Sequence, residues 1–154
     1  DIAVVGLDTC KMPRTPLSAS GAVSKSQLTW LRQLGADAAF ADARLRIGLM
    51  HHHLLRIPFA IGKRSPMEVG MRLRNAKQVM RTCTEVGIDI LFHGHRHHGY
   101  MVQLPGRPTV VSAPSSTLGC KSRPNSLIYA WRMDLDDGHP FPVVHGLLES
   151  PGEE

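Results

Sequence analysis

The chain has 154 residues, the length of one domain, and 42% of them are hydrophobic and 20% charged, with 14 glycines and 11 prolines. This composition is typical of a globular protein, and no apolar run approaches the roughly 20 residues that span a bilayer, so we expect no association with a membrane. The formal net charge of +5 would suit an anionic ligand, but the positive residues are scattered and aromatic residues make up only 5%, so nucleic-acid binding is not favoured.

The first part of the chain alternates predicted strands with a helix. Residues 2–7, IAVVGL, are apolar and β-branched, which predicts a buried strand. Ser24 and Gln27 have the spacing of a capping box, and leucines follow them at helical spacing until Gly35, a suitable end for a helix. Residues 45–50, LRIGLM, predict a second strand.

A second helix and a third strand are predicted next. Ser65 and Pro66 suit the N-cap and the first position of a helix, and apolar residues recur at helical spacing over 69–86 before Gly87. Residues 88–93, IDILFH, predict the third strand. The order strand, helix, strand, helix, strand predicts an α/β fold whose sheet is covered by helices.

The last part of the chain is predicted to consist of strands. Residues 99–104 and 109–114 flank the turn PGRP and predict a hairpin. Residues 125–135 and 139–148 predict another pair of strands. We expect the tail, residues 149–154, to be frayed.

The cysteines bear on the cellular compartment. Cys10, Cys83 and Cys120 are far apart and odd in number, and no C-x-x-C motif occurs. This pattern is typical of reduced thiols rather than of a disulfide framework. The first residues also lack the pattern of a secretory signal. We therefore expect a cytoplasmic protein.

Histidines are concentrated at the ends of two predicted strands. Seven of the nine histidines lie in LMHHHLL, residues 49–55, and LFHGHRHHGY, residues 91–100. If the two strands are neighbours in a parallel sheet, both stretches meet at one edge, where α/β proteins carry their chemistry. Imidazole is the commonest metal ligand near neutral pH, and convergent histidines suit Zn, Fe or Mn. We therefore interpret these stretches as metal-binding.

Not every histidine of these stretches is expected to bind a metal. Side chains two residues apart on an extended segment point the same way, so His95 and His97 are predicted to face one centre. The neighbouring histidines are expected to support the ligands or to line the pocket: His53, His93 and His98.

The carboxylates of a two-metal hydrolase are not found at ligand spacing. Such sites hold two cations about 3.5–4 Å apart and need carboxylates to balance their charge. The acids nearest the predicted strands occur in no D-x-H or G-D-x-x-D pattern: Asp8, Asp37, Asp42 and Asp89. Asp89 begins its strand, at the end away from the histidines. The residues by themselves therefore indicate half of a metal site.

Four motifs, in order, resemble those of the calcineurin-like metallophosphoesterases. VVGLDT resembles the strand and turn after the family's Asn-His motif, and GAVSKSQLTWL resembles its G…QL.WL helix. LMHHHLL resembles the HHP ligand motif, with His53 where proline is usual, and GIDILFHGHRHH resembles the G-H-x-H motif. GYMVQLPGRPTVVSAPS, over residues 99–115, is similar to the hairpin and strand that follow.

The resemblance implies a fold, a cofactor and a reaction. The family folds as a four-layer α/β/β/α sandwich with mixed sheets, of which residues 1–148 would be the C-terminal portion of a single domain. It implies a dinuclear centre of Mn, Fe or Zn, whose bound hydroxide hydrolyses phosphomonoesters or phosphodiesters. The layout is most similar to the branch that contains cyclic-nucleotide-type phosphodiesterases.

Carried over by position, the resemblance also implies ligands. His51 and His95 match ligands of the second metal, and His97 matches a ligand of the first. His52 is the alternative to His51, because the register of HHH can slip by one residue. The residues implied to support the ligands or to line the substrate pocket are His52, His53, His93, Arg96 and His98.

The family's N-terminal motifs, D-x-H, G-D-x-x-D and G-N-H, are absent from the chain. They carry the remaining ligands and the histidine that assists the leaving group, so no acid–base residue is assigned. Asn75 lies on a predicted helix and does not replace that motif. Since the chain enters a strand directly after Asp1, we expect a piece of a longer protein, inactive alone, that associates with its other half or with itself.

Two alternatives to a phosphoesterase remain open. One is a non-catalytic metal-binding or scaffold module of the same fold that kept the histidine half of the site. The other is a nuclease-type relative, which would bind DNA or RNA. The scattered positive charge argues against the second.

Overall fold

The computed structural model describes residues 1–10, 19–55, 70–95 and 100–113, together with the backbone of strands at 128–134 and 141–148. Several predicted features lie outside the described residues: Ser65 and Pro66, the site residues Arg96, His97 and His98, Cys120, and the tail 149–154.

Strands and helices alternate along the first half of the described chain. Their bounds are β1 (Ile2–Leu7), α1 (Lys25–Gly35), α2 (Ala38–Ala41), β2 (Leu45–Met50), α3 (Ala76–Glu85), β3 (Ile90–His93), β4 (Tyr100–Val102), β5 (Thr109–Ser112), β6 (Ile128–Asp134) and β7 (Phe141–Leu148). Among the described residues, no helix is both long and apolar enough to cross a bilayer.

The first five strands form one mixed sheet in the order β1-β2-β3-β5-β4. Strands β1, β2, β3 and β5 are parallel, and β4 runs antiparallel to β5. Strands β6 and β7 form a separate antiparallel pair. The predicted α/β fold with a mixed sheet is confirmed.

The sheet has an apolar cluster on each face. The larger cluster packs one face against α1 and α3 and includes Val5, Leu7, Leu28, Leu31, Val79, Cys83, Leu91 and Val110. The smaller cluster lies on the other face and consists of Leu45, Ile47, Ile90 and Val111, with Phe92 packed against them. Each buried aliphatic side chain contributes about 1.5–3 kcal/mol. Packing on both faces therefore fixes the parallel strands and the row of loops at their carboxyl ends.

Helix α1 begins and ends as predicted, but Gln27 has an additional role. The Ser24 hydroxyl oxygen accepts the backbone N–H of Gln27 at 3.2 Å, as an N-cap should. The Gln27 side chain pairs with the backbone of Asp8, accepting its N–H at 2.9 Å and donating to its carbonyl at 3.0 Å. The first turn of α1 therefore holds the loop that follows β1.

The prediction that residues 72–75 belong to the second long helix was wrong, and its predicted start at Ser65 and Pro66 lies outside the described residues. Helix α3 begins only at Ala76, and Leu73 forms a bridge with Gly21 instead of lying on a helix face. Two backbone hydrogen bonds hold this extended stretch, from Gly21 N–H to the Arg72 carbonyl at 3.1 Å and from Arg74 N–H to the Gly21 carbonyl at 2.9 Å. A partner far away in sequence overrides the local helical pattern.

Strand β3 begins at Ile90, two residues later than predicted. The carboxylate of Asp89 accepts the backbone N–H of Arg46 at 2.8 Å and its guanidinium Nε–H at 3.2 Å. Asp89 therefore ties the amino end of β3 to β2, at the end of the sheet away from the histidines. The short helix α2, which was not predicted, begins where Asp37 caps the backbone N–H groups of Ala39 and Phe40.

Candidate functional site

The histidine stretches meet at the carboxyl edge of the sheet. Strands β2 and β3 are parallel neighbours, so the residues that follow them lie side by side. The N–H of Gly94 donates to the carbonyl of His51 at 3.2 Å, which joins the two stretches through their backbones.

The imidazole rings of His51, His52 and His53 are gathered around the ring of His95. Nε2 of His51 lies 2.9 Å from Nδ1 of His95. The His52 ring centroid is 4.5 Å from that of His95, and the His53 ring stacks on His95 at 6.1 Å with planes 13° apart. Side chains from the ends of two different strands therefore converge on one point.

The His52 ring is held by hydrogen bonds at both nitrogens. The Ala19 carbonyl can only accept, so Nε2–H of His52 donates to it at 2.9 Å. Nδ1 then accepts from the Thr9 hydroxyl at 2.8 Å, and the same hydroxyl accepts the backbone N–H of His52 at 3.2 Å. Burial lowers the pKa of His52, in agreement with a neutral ring. Both nitrogens of His52 are therefore engaged within the protein.

Gly21 allows the loop before α1 to approach this ring. A Cβ atom at position 21 would overlap both the His52 ring and the Thr9 carbonyl. The backbone of Gly21 also pairs with the stretch before α3. Glycine therefore fits where three segments meet at the histidines.

His93 is the last residue of β3 and is almost fully buried, with 3% of its surface exposed. Its Nδ1 lies 3.3 Å from the Gly94 carbonyl, which assigns the proton to Nδ1, and its Nε2 accepts from the Tyr100 hydroxyl at 2.8 Å. Burial lowers the pKa of His93 to about 4 and raises the pKa of Tyr100 to about 12. At neutral pH His93 is an uncharged residue that joins β3 to β4 through Tyr100.

The backbone at His95 is in the left-handed region, with φ of +72°. Histidine is one of the few residues that adopt this region with some frequency, and such strain is concentrated at functional sites. The prediction that His95 and His97 share a direction assumed an extended segment, which is wrong at His95. His95 reaches the cluster through a turn of the backbone, and His97 lies outside the described residues.

The facing nitrogens of His51 and His95 suit a transition metal. Zinc–nitrogen bonds of about 2.0–2.1 Å place two tetrahedral ligand nitrogens about 3.3 Å apart, close to the 2.9 Å between Nε2 of His51 and Nδ1 of His95. Among the described residues, no group of three or more His, Cys, Asp or Glu is arranged to hold a metal ion. By geometry, the pair could supply two of the ligands of such an ion.

Two of the acids considered as ligands have structural roles. Asp8 follows β1, and its carboxylate accepts the N–H of Cys10 at 2.8 Å, closing a local turn. Asp89 lies at the opposite end of β3, against Arg46. The prediction that Asp89 lies at the end of its strand away from the histidines is confirmed.

Thr9, Gly21 and Tyr100 contribute to the site but were not singled out in the sequence. Thr9 had a detectable signal: Leu7 pairs with Met50, and Thr9 and His52 each lie two residues beyond that pair. Residues at equal offsets from the ends of paired parallel strands are neighbours. Gly21 and Tyr100 gave no comparable signal.

Comparison of the chain with known protein families found no match, and comparison with curated proteins found none either. A functional assignment therefore rests on the residues of the site and on the sequence motifs.

Proposed function

We propose that the chain belongs to a calcineurin-like metallophosphoesterase and contributes the histidine half of its metal centre. The intact protein would hydrolyse phosphomonoesters or phosphodiesters. The observation that carries the proposal is the 2.9 Å approach of His51 Nε2 and His95 Nδ1, from the ends of two neighbouring parallel strands. Four ordered motifs of the sequence, two of which contain these histidines, also support it.

The apolar surface of the sheet supports the proposed four-layer sandwich. Helices α1 and α3 pack on one face. On β1, Ile2 and Val4 remain 51% and 59% exposed. In a four-layer arrangement a second sheet would cover such residues, and burying them would be favourable.

The hydrogen bonds favour His51 over His52 as the ligand. A ligating imidazole must offer an unprotonated ring nitrogen to the metal. Both nitrogens of His52 are hydrogen-bonded to groups that do not bind metals in such sites, Thr9 and the Ala19 carbonyl, whereas Nε2 of His51 is hydrogen-bonded to another imidazole nitrogen, Nδ1 of His95. A metal ion could take the place of the proton that these two imidazoles share. His97 would extend the ligand set as the sequence predicts.

The proposal gives different roles to the four histidines of the cluster. His51 and His95 would hold a Mn, Fe or Zn ion, one of two in the complete centre. When bound, such ions polarise phosphoryl oxygens and lower the pKa of water. The neutral His52 fixes the loop after β2, and His53 stacks on His95 to hold the orientation of its ring. The remaining ligands would be carboxylates supplied by another part of the protein.

One alternative has a specific observation in its favour. The two facing donors are both imidazoles, and the carboxylate of Asp8 closes a turn of its own. A non-catalytic metal-binding module would show the same arrangement. It would bind metal and hydrolyse nothing, even with all of its natural sequence present.

Metal binding by the 154-residue chain tests the proposal directly. Titration with Co²⁺ should produce visible d–d absorption that is lost in H51A and in H95A. The matched control is H145A, which removes a histidine of β7, outside the five-stranded sheet. Absorption that survives in the H51A/H95A double variant contradicts the proposed site.

Hydrolysis separates the enzyme from the metal-binding module. With Mn²⁺ and bis-p-nitrophenyl phosphate, we expect little or no turnover by the chain alone. Turnover should appear when the carboxylate half is supplied, and His95→Ala should abolish it. Tight metal binding with no turnover in that complete protein would favour the non-catalytic module.

A further inference from the structure

A cavity of about 710 Å³ opens beside the histidine cluster. One wall is formed by residues 53–55, which follow the ligand His51, and the other by residues 72–78, where α3 begins. Sites for small molecules occupy roughly 300–1,000 Å³. The size of the cavity therefore suits a small molecule better than a polymer.

Three cationic side chains line this cavity, Arg72, Arg74 and Lys77. Arg72 is partly buried, while Arg74 and Lys77 are exposed. None of the described residues that line the cavity is acidic. A concave surface with three positive charges attracts anions.

The other arginines near α3 behave differently. Arg32 and Arg81 form ion pairs with Glu85, and Arg46 pairs with Asp89. Within the part of the chain that the structure describes, no ion pair involves the three cations of the cavity. Among the described residues, no carboxylate therefore neutralises their charge.

The wall that carries these cations is fixed relative to the histidines. The Asn75 side chain accepts the N–H of Val23 at 3.1 Å and donates to the Val23 carbonyl at 2.8 Å. The backbone of Arg72 and Arg74 is hydrogen-bonded to Gly21, the residue that packs on the His52 ring. A ligand in the cavity would therefore be held at a defined place beside the pair His51 and His95.

His53 joins the cavity to the histidine cluster. It lines the cavity, and its ring stacks on His95. One molecule can thus extend from the histidine pair into the basic cavity.

We infer that the cavity binds a second phosphate group of the substrate, one that is not cleaved. The substrate is then a small phosphoester that carries a further phosphate, which the guanidinium groups of Arg72 and Arg74 bind with paired hydrogen bonds. That the ligand is a substrate rests on the proposed function, whereas phosphate binding in the cavity does not.

Calorimetric titration of the full chain with inorganic pyrophosphate tests this inference. EDTA is present, so that no metal at the histidines contributes, and the salt concentration is physiological. The variant R72Q/R74Q/K77Q removes the charge of the cavity. The control K25Q/R81Q/R107Q removes the same charge from exposed positions outside it.

We expect the cavity variant to bind pyrophosphate at least about tenfold more weakly, since each hydrogen bond to a charged group contributes substantially. The control should bind like the parent chain. The single variant R74Q should weaken pyrophosphate binding by a smaller factor. Because Arg74 is exposed, R74Q is expected to fold and replaces the triple variant as the test if that variant does not fold.

Three results would overturn the inference: no binding by the parent chain, unchanged affinity in the folded cavity variants, or an equal loss in the control. The Co²⁺ titration tests the proposed function separately. A chain that binds pyrophosphate in the cavity but no Co²⁺ at His51 and His95 refutes the metal site and leaves the anion site. The reverse result refutes the anion site alone.

Discussion

Thr9 and His52 hold each other in place across two parallel strands. The Thr9 hydroxyl donates to Nδ1 of His52 at 2.8 Å and accepts its backbone N–H at 3.2 Å. Both residues are almost fully buried, at 1% and 4% exposure. This pair fixes the tautomer of His52 and the loop from which His51 projects.

Replacing Thr9 by valine keeps the shape of the side chain and removes the hydroxyl. We expect T9V to lower the free energy of unfolding by about 1–3 kcal/mol, because a buried ring nitrogen and a buried N–H lose their partner. Urea unfolding measures the change, with T29V at an exposed position of α1 as the control. Equal stabilities of T9V and the parent chain would contradict the role of the hydroxyl.

The position of the site was predictable because it follows from strand order. Strands β1 and β2 coincide with their predictions, 2–7 and 45–50, since short apolar β-branched runs bounded by polar loops have few alternatives. Strand β3 ends at His93, as predicted, and because β2 and β3 are parallel neighbours, the histidines after them share an edge of the sheet. The local sequence was therefore sufficient to predict the edge of the sheet at which the histidines lie.

The remaining features depend on contacts between distant residues. Helix α3 begins late because Asn75 pairs with Val23, 52 residues away, and no local pattern reports that partner. The left-handed backbone at His95 likewise has no signal in the motif GHRHH. The basic cavity was not predicted because its cations lie close together in RLRNAK, whereas its other wall, residues 53–55, is distant in the sequence.

Gly21 and Gly6 form a matched pair for testing the close approach at His52. A Cβ atom at position 21 would overlap the His52 ring and the Thr9 carbonyl, whereas at position 6 it would meet nothing within 4 Å. We expect G21A to lower the free energy of unfolding by about 1–3 kcal/mol through overpacking. G6A should be neutral or slightly stabilising. Comparable destabilisation of both variants in urea would show that the approach at His52 is not what matters.

Cys83 and Cys10 should differ in reactivity. Cys83 is fully buried on α3, and burial raises the pKa of its thiol to about 12, so almost no thiolate is present at pH 8. Cys10 is exposed. In a C120S background, a thiol-specific disulfide reagent should label Cys10 quickly and Cys83 only after unfolding. Rapid labelling of Cys83 in the folded chain would contradict its burial.

The same burial predicts a loss of stability in alkaline solution. The thiol of the unfolded chain ionises near its ordinary value of 9.0, while the folded chain keeps its proton until about pH 12. Above pH 9 the unfolded state therefore binds fewer protons, and stability falls as the pH rises. C83A should show a shallower decline between pH 9 and pH 11 in urea unfolding. Parallel curves for the two chains would argue against this assignment.

Asn75 links the histidine site to the basic cavity, and its removal should loosen both. Asn75→Ala deletes two hydrogen bonds to the Val23 backbone, at 3.1 Å and 2.8 Å. We expect amide hydrogen exchange at Val23 to become markedly faster, because its N–H loses its acceptor. Gln33→Ala, at an exposed position of α1, is the control and should leave Val23 unchanged. If exchange at Val23 is as slow in N75A as in the parent chain, Asn75 does not tie the stretch before α3 to the segment that contains Val23.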